Sequence, residues 1–271
     1  MGALLSRLFR RRIVLLATVV LALGASVFAS ADPNDTAVLD RLKPPSGVHL
    51  MGTDELGRDL YSRVIHGARY SLAIAALTAV GAIVLGTLVG LLAGFFRKLD
   101  APLSRVVDAM MSFPDILLAI ALVAILGPSL ANVVLALVLV YTPRVARVVR
   151  ASTLVVRELL FVEAARAIGA RTPHILWHHV LPNLLSPILV QGSFIFAYAI
   201  LAEAGLSFLG VGVPPEIPTW GTMVAGSQQY ADRAFWVVLF PGLAIIFTAL
   251  SLQLLGDGVR DLLDPKLKKA A

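Results

Sequence analysis

"FVEAARAIGARTPHILWHHVLPN", residues 161–183, interrupts an otherwise apolar chain with Glu163, Arg166, Arg171 and three of the five histidines. Phe161, Ala164, Ala165 and Ile168 fall at i, i+3, i+4 and i+7, with Glu163 and Arg166 off that stripe. The spacing predicts a short amphipathic helix. Gly169 ends it, because glycine takes up the left-handed turn that closes a helix without a Cβ penalty. Thr172 is placed to cap a second helix, Pro173 suits its first position, and Pro182 is expected to stop it just before the next apolar run. Six arginines occur over residues 144–171. Forcing them into lipid costs about 2.5 kcal/mol each, on the order of 15 kcal/mol together. The region is therefore expected at an aqueous or interfacial surface, as two short helices hinged at Gly169. Such a knob can seat in a partner's cleft.

Outward from this stretch the chain is greasy. Of 271 residues, 58% are hydrophobic and 15% charged, with mean hydropathy +0.85. An ordinary soluble domain has about 45–50% apolar residues. Runs of about 20 apolar residues cross a bilayer, and six are expected: 13–31, 71–96, 106–126, 133–149, 188–209 and 235–255. The fold class expected is an all-α polytopic membrane protein with six transmembrane helices. With both termini inside, 17 of the 23 Lys and Arg residues fall on the cytoplasmic side. That distribution obeys the positive-inside rule, so a net charge of +6 needs no nucleic-acid partner. Arg10, Arg11 and Arg12 before an apolar run, with Ala29-Ser30-Ala31 after it, also match a cleavable signal peptide. The 19-residue run exceeds a usual signal core and favours a retained anchor. The absence of cysteine excludes disulfides, thiolate metal sites and cysteine nucleophiles.

Residues 32–70 read as an external segment, with Leu60, Val64 and Ile65 on one face of a helix expected to lie at the membrane surface. Gly86, Gly90 and Gly94 form a doubled GxxxG, a helix-packing face. Pro114 is expected to kink the third span. Asp115 beside it and Glu203 in the fifth span place carboxylates at membrane depth, where acids mark a translocation path or bond a neighbouring helix. His174 and His178 lie four apart on one face, but without a third ligand or the glutamate of HExxH no metal site is expected.

"EAARAIGA" followed by "HHVLPN" resembles the cytoplasmic EAA loop of binding-protein-dependent ABC importer permeases. Glu163, Ala164, Ala165, Gly169, Leu181 and Pro182 stand at the matching positions, with Arg166 inside the motif. His179, where the general pattern has a hydrophobic residue, is similar to the dipeptide, oligopeptide and nickel branch. "GTDELGRDLYSRVIHGARYSL", "GLSFLGVGVPPEIPTWG" and "GDGVRDLLDPKLK" resemble the same branch.

The resemblance implies a type I ABC importer permease fold in the bacterial cytoplasmic membrane. It implies a second, similar permease subunit, two ATPase subunits, an external solute-binding protein and surrounding lipid as partners. ATP and Mg would be bound by the ATPases, and the EAA loop would couple this chain to them. Residues 1–68 are then an anchor plus external segment, 69–260 the permease core with its coupling loop at about 151–187, and 261–271 a cytoplasmic tail. The chain has no GxxxxGK[ST] phosphate loop and no cofactor or catalytic residue is expected in it. Di- or oligopeptides are the expected cargo, with nickel or a glutathione-like substrate as alternatives. An ion-coupled secondary transporter using Asp115 and Glu203, or a membrane scaffold with no transport path, are the rival readings. An intramembrane hydrolase lacks any HExxH or GxSxG.

Overall fold

The computed structural model describes residues 32–263, with side chains to residue 258. The expected first span at 13–31, its signal-peptide alternative and residues 264–271 of the tail lie outside the described residues. Nine α-helices follow one another among the described residues. They are α1 Leu60–Phe95, α2 Arg97–Met111, α3 Asp115–Leu126, α4 Leu130–Val156, α5 Leu160–Ala167, α6 Thr172–Ile175, α7 Leu181–Phe208, α8 Trp220–Ser227 and α9 Trp236–Leu263. A π turn, Leu176–Val180, joins α6 to α7 without a break. Helix α1, helix α4, the Thr172–Phe208 rod and Trp236–Gly258 are long and apolar enough to cross a membrane. The bent α2–α3 pair brings the number to as many as five.

Two expected elements differ. No separate surface helix covers 56–70: α1 starts at Leu60 and runs unbroken into the apolar region. Its start is set by Asp59, whose carboxylate accepts from Ser62 N at 2.9 Å and Ser62 Oγ at 2.8 Å. At 36 residues α1 is about 54 Å long, well beyond an apolar core of about 30 Å. Its first turns therefore pack against protein. Asp54 accepts from Leu56 N, Arg58 N and Arg58 Nε, and Arg63, 3% exposed, donates to Pro33 O at 2.9 Å. Burial, reinforced by the Asp54 charge, pushes the Glu55 carboxyl up. Its contribution to stability is therefore full in acid and lost as the pH rises through the raised value.

The third span is broken, not merely kinked. Helices α2 and α3 meet at 93° across Ser112–Pro114. Pro114, at φ −57° and ψ 130°, leaves the helical region and becomes the N-cap of α3. It has no N–H to continue the ladder of α2.

The glycines of α1 fix the central packing. A Cβ at Gly90 would stand 2.6 Å from Ala146 O and 2.7 Å from Val149 Cβ, and one at Gly94 would stand 2.6 Å from Thr153 Cβ. Gly81 meets Val138 and Gly86 meets Val145 in the same way. Residue numbers rise together on both helices, so α1 and α4 run parallel, and α2–α3 must carry the chain back between them.

Helix α7 packs on α1, α4, α8 and α9. Its C-terminus is closed at Gly210, φ +77°, with Val211 N donating to Leu206 O. The chain then returns through Thr219, which caps α8 in a reciprocal capping box with Thr222. Thr219 Oγ1 also donates to Glu203 Oε1 at 2.7 Å, and Ser207 Oγ donates to the same oxygen at 2.9 Å. Gly221 makes room for this carboxylate, since a Cβ there would lie 2.8 Å from Glu203 Oε1. Trp220 closes the junction, its indole N–H donating to Val64 O at 2.9 Å.

Gly90→Ala should destabilise the chain by about 1–3 kcal/mol through overpacking, whereas Gly242→Ala, with open space around its Cβ, should not. Thermal unfolding in detergent separates the two, and equal melting temperatures would contradict the interlock. Glu203→Ala strands two buried hydroxyl donors and should cost about 1–3 kcal/mol. Glu203→Gln keeps an acceptor and should lose less in the same melting experiment.

Candidate functional site

The loop of residues 157–183 is a helix, a left-handed turn and a second helical segment. Val162 and Ala165 are the buried residues of α5, and they hold it against the body. Ile168 N donates to Ala164 O and Ala170 N to Ala165 O across Gly169, whose φ is +83°. Nothing lies within 4 Å of a Cβ at Gly169, so its backbone angle, not crowding, requires glycine. Two arginines clamp the loop to the end of α1. Arg157 Nη1 donates to Gly94 O at 2.7 Å, and the Arg166 guanidinium lies 5.2 Å from the centre of the Phe95 ring.

The stripe expected on α5 is divided. Ala165 faces inward, while Phe161, Ala164 and Ile168 face outward. Ile168 is 85% exposed, and Leu160 and Trp177 of the same loop are also bare. Glu163 is exposed on the same short helix. The result is an apolar ridge with a carboxylate next to it, standing where α4 ends and the α7 rod begins.

Thr172 is the first residue of α6, not its cap; Arg171 holds the cap position without a side-chain hydrogen bond. Pro182 does not stop the second helix either. It occupies the first turn of α7, directly after the π turn, where its missing N–H interrupts nothing. Leu181 N donates to Leu176 O across the wider turn, and Asn183 Nδ2 donates to His179 O at 2.7 Å. Leu181 is partly buried at this junction. His174 and His178 stack with ring centres 4.2 Å apart, and His178 Nδ1 lies 3.2 Å from His174 O.

The six arginines expected together outside the membrane are split between environments. Arg144, Arg147 and Arg150 belong to α4, which continues to Val156, beyond the expected end at 149. Each has an acid. Arg150 makes a two-point contact with Asp100 at 2.5 and 2.9 Å, Arg147 meets Asp108 at 2.6 Å, and Arg144 pairs with Asp115. Pairing offsets part of the cost that a lone charge would carry in an apolar setting. Sequence reading singled out Asp115 but missed this ladder. The available signal was the i, i+3, i+6 spacing of Arg144, Arg147 and Arg150, which puts them along one side of a helix.

At the inner end of the ladder a cavity of about 240 Å³ opens between α3, α4 and α7. Asp115, Tyr141 and Tyr198 line it, with Ala119, Leu137 and Ala202. The Arg144 guanidinium stands 5.7 Å from the Tyr141 ring centre and 5.4 Å from that of Tyr198. Glu203, the other acid expected on a path, is 1% exposed and sealed in the α7–α8 junction. The two carboxylates are not brought together.

Residues 82–269 match the family described as binding-protein-dependent transport system inner membrane component. A Brucella suis chain named as a peptide transport system permease protein is 50% identical, over 97% of this chain and 90% of its own length. The dipeptide transport system permease protein DppC of Alkalihalophilus pseudofirmus is 44% identical, over 94% of this chain and 84% of its own. Among solved structures, an inward-facing MetNI methionine ABC transporter chain aligns with a TM-score of 0.62 at 20% identity, covering 74% of this chain and 96% of that one. This last likeness shows the fold: the described helices are arranged as in that ABC transporter chain. The chain belongs to the inner membrane components of binding-protein-dependent transport systems.

Proposed function

We propose that this chain is a permease subunit of an ATP-driven importer that passes di- or oligopeptides across the bacterial cytoplasmic membrane by alternating access. The observation that carries the reading is the bare ridge of Leu160, Phe161, Ala164 and Ile168 beside Glu163. Unpartnered apolar side chains on a rigidly clamped knob form an interaction surface. The partner is the ATPase: two such subunits hold ATP and Mg and receive the EAA loops from the cytoplasmic side, and this chain itself is not an enzyme. Both termini are then cytoplasmic. A second, similar permease faces α3, α4 and α7, where the Asp115–Arg144 pair is a poor neighbour for lipid. An external solute-binding protein delivers the cargo. Relatives named for peptide or dipeptide transport support a peptide cargo, a relative named for glutathione transport is 42% identical, and the ligand retained by the purified binding protein decides among them.

Closure of the ATPase pair displaces the knob, and force passes into α4 and the α7 rod because no loop intervenes between the π turn and α7. The Arg157 and Arg166 contacts to the end of α1 make the knob move with the body and not independently of it. Opening alternates between the two sides as the helices rock.

Gly169→Val demands a left-handed backbone from a β-branched residue, and Glu163→Lys reverses the charge beside the ridge. Each should lower peptide uptake and transport-coupled ATP hydrolysis by about tenfold, or about 1.4 kcal/mol of coupling. The subunit should still insert and co-purify with its partner permease. Unchanged uptake in both variants would sink the docking role.

A further inference from the structure

We propose that the cavity between α3, α4 and α7 is a recognition site for the two charged ends of a short zwitterionic peptide, Arg144 receiving the carboxylate and Asp115 the ammonium group. This deepens the transport reading above and rests on it. Four observations carry it.

The first is depth. Arg144 lies fifteenth among the 27 residues of α4 and so is about 21 Å along a helix of about 40 Å. An ion pair at that level is kept from lipid and faces a cavity or another protein. The second is exposure. Arg144 and Asp115 remain 35% and 39% exposed, unlike Glu203, which is fully enclosed. Asp115 lines the cavity, and Arg144, paired with it, stands beside the lining residues Tyr141 and Tyr198, whereas the Glu203 carboxylate is enclosed.

The third is preparation. Arg144 is held against two phenol rings, which position the guanidinium plane while leaving its remaining N–H donors unspent. A planar fork of donors matches a carboxylate by two parallel hydrogen bonds. The fourth is charge balance. A zwitterion inserted between Arg144 and Asp115 exchanges one ion pair for two and leaves no charge unmatched. A ligand with one end blocked leaves either Arg144 or Asp115 without a partner at membrane depth, which is the expensive arrangement.

The same geometry limits length. Side chains that now touch each other must separate to admit the ligand. The ends of a dipeptide are about 6–7 Å apart, whereas each further extended residue adds about 3.3–3.6 Å. Simultaneous engagement of both groups therefore favours dipeptides over longer chains. A cavity of about 240 Å³ is also small by the standard of ligand pockets, about 300–1,000 Å³, and suits the peptide main chain with side chains left outside.

The test uses the complete complex in liposomes with a constant supply of its binding protein. Uptake is compared for a dipeptide, its C-terminal amide and its N-acetyl derivative. The binding protein's own selectivity is common to every permease variant, so a change in the preference ratio belongs to this chain. Arg144→Gln should reduce the preference for the free carboxylate over the amide by about tenfold and keep the discrimination against N-acetylation. Asp115→Asn should do the reverse. If Arg144→Gln does not assemble, Arg144→Lys, which preserves the ion pair but not the fork, should narrow the same ratio.

Equal loss for all three peptides overturns the proposal. Uptake by the wild type with ratios that do not move in the variants overturns the site alone. Absence of any peptide uptake by the wild type overturns the transport reading as well.

Discussion

The rest of the described structure depends on the close approach of the α1 and α4 backbones. Lipid offers no hydrophobic drive to press two helices together, so association relies on how tightly they fit. Gly81, Gly86, Gly90 and Gly94 cut a notch along α1, and Val138, Val145, Val149 and Thr153 fill it. The direction of the fit matters as much as its tightness. Two parallel helices consecutive in the packing cannot be joined by a short hairpin, and the chain between them must make a full return. The elbow of α2 and α3 is that return, and Pro114 makes its corner.

Once the elbow lies against α4, its acids come within reach of the arginines there. Asp100, Asp108 and Asp115 meet Arg150, Arg147 and Arg144 in reverse order, as an element running back along its neighbour requires. The opposite end of the bundle uses a different device. There Glu203 is met by the hydroxyls of Ser207 and Thr219, and Gly221 leaves it space. One acid is thus placed at a cavity with a cation for partner, and the other is enclosed with neutral donors. The sequence context of each, a carboxylate in an apolar run, is nearly the same.

This is why periodicity and hydropathy recovered the helices but not the site. Apolar runs located the apolar helices within the described residues, although α1, α2 and α7 begin 11, 9 and 7 residues before the expected starts and α4 ends 7 residues after its expected end, and the loop at 161–183 announced itself by its charges. What local pattern could not supply was the partner. Nothing near Asp115 in the chain indicates that Arg144 faces it, because the two meet only through the return of the elbow. Tyr198 joins them from a third helix. Likewise, the stripe through Phe161, Ala164, Ala165 and Ile168 was visible, but its division into an inward and an outward face depends on Val162, which supplies the buried anchor instead. Pro182 was misjudged for a related reason. Proline stops a helix when a hydrogen-bonded N–H is needed, and the π turn before it changes which residue needs one.

That π turn has a consequence for how the two halves of the rod face. A regular helix advances about 100° per residue, so one additional residue accommodated in Leu176–Val180 turns everything before it by roughly that angle relative to α7. The azimuth of the knob and the azimuth of the transmembrane face are therefore set separately. The length of a single turn acts as a gear offset between them, fixing how the exposed ridge of the loop is turned relative to the buried face of α7.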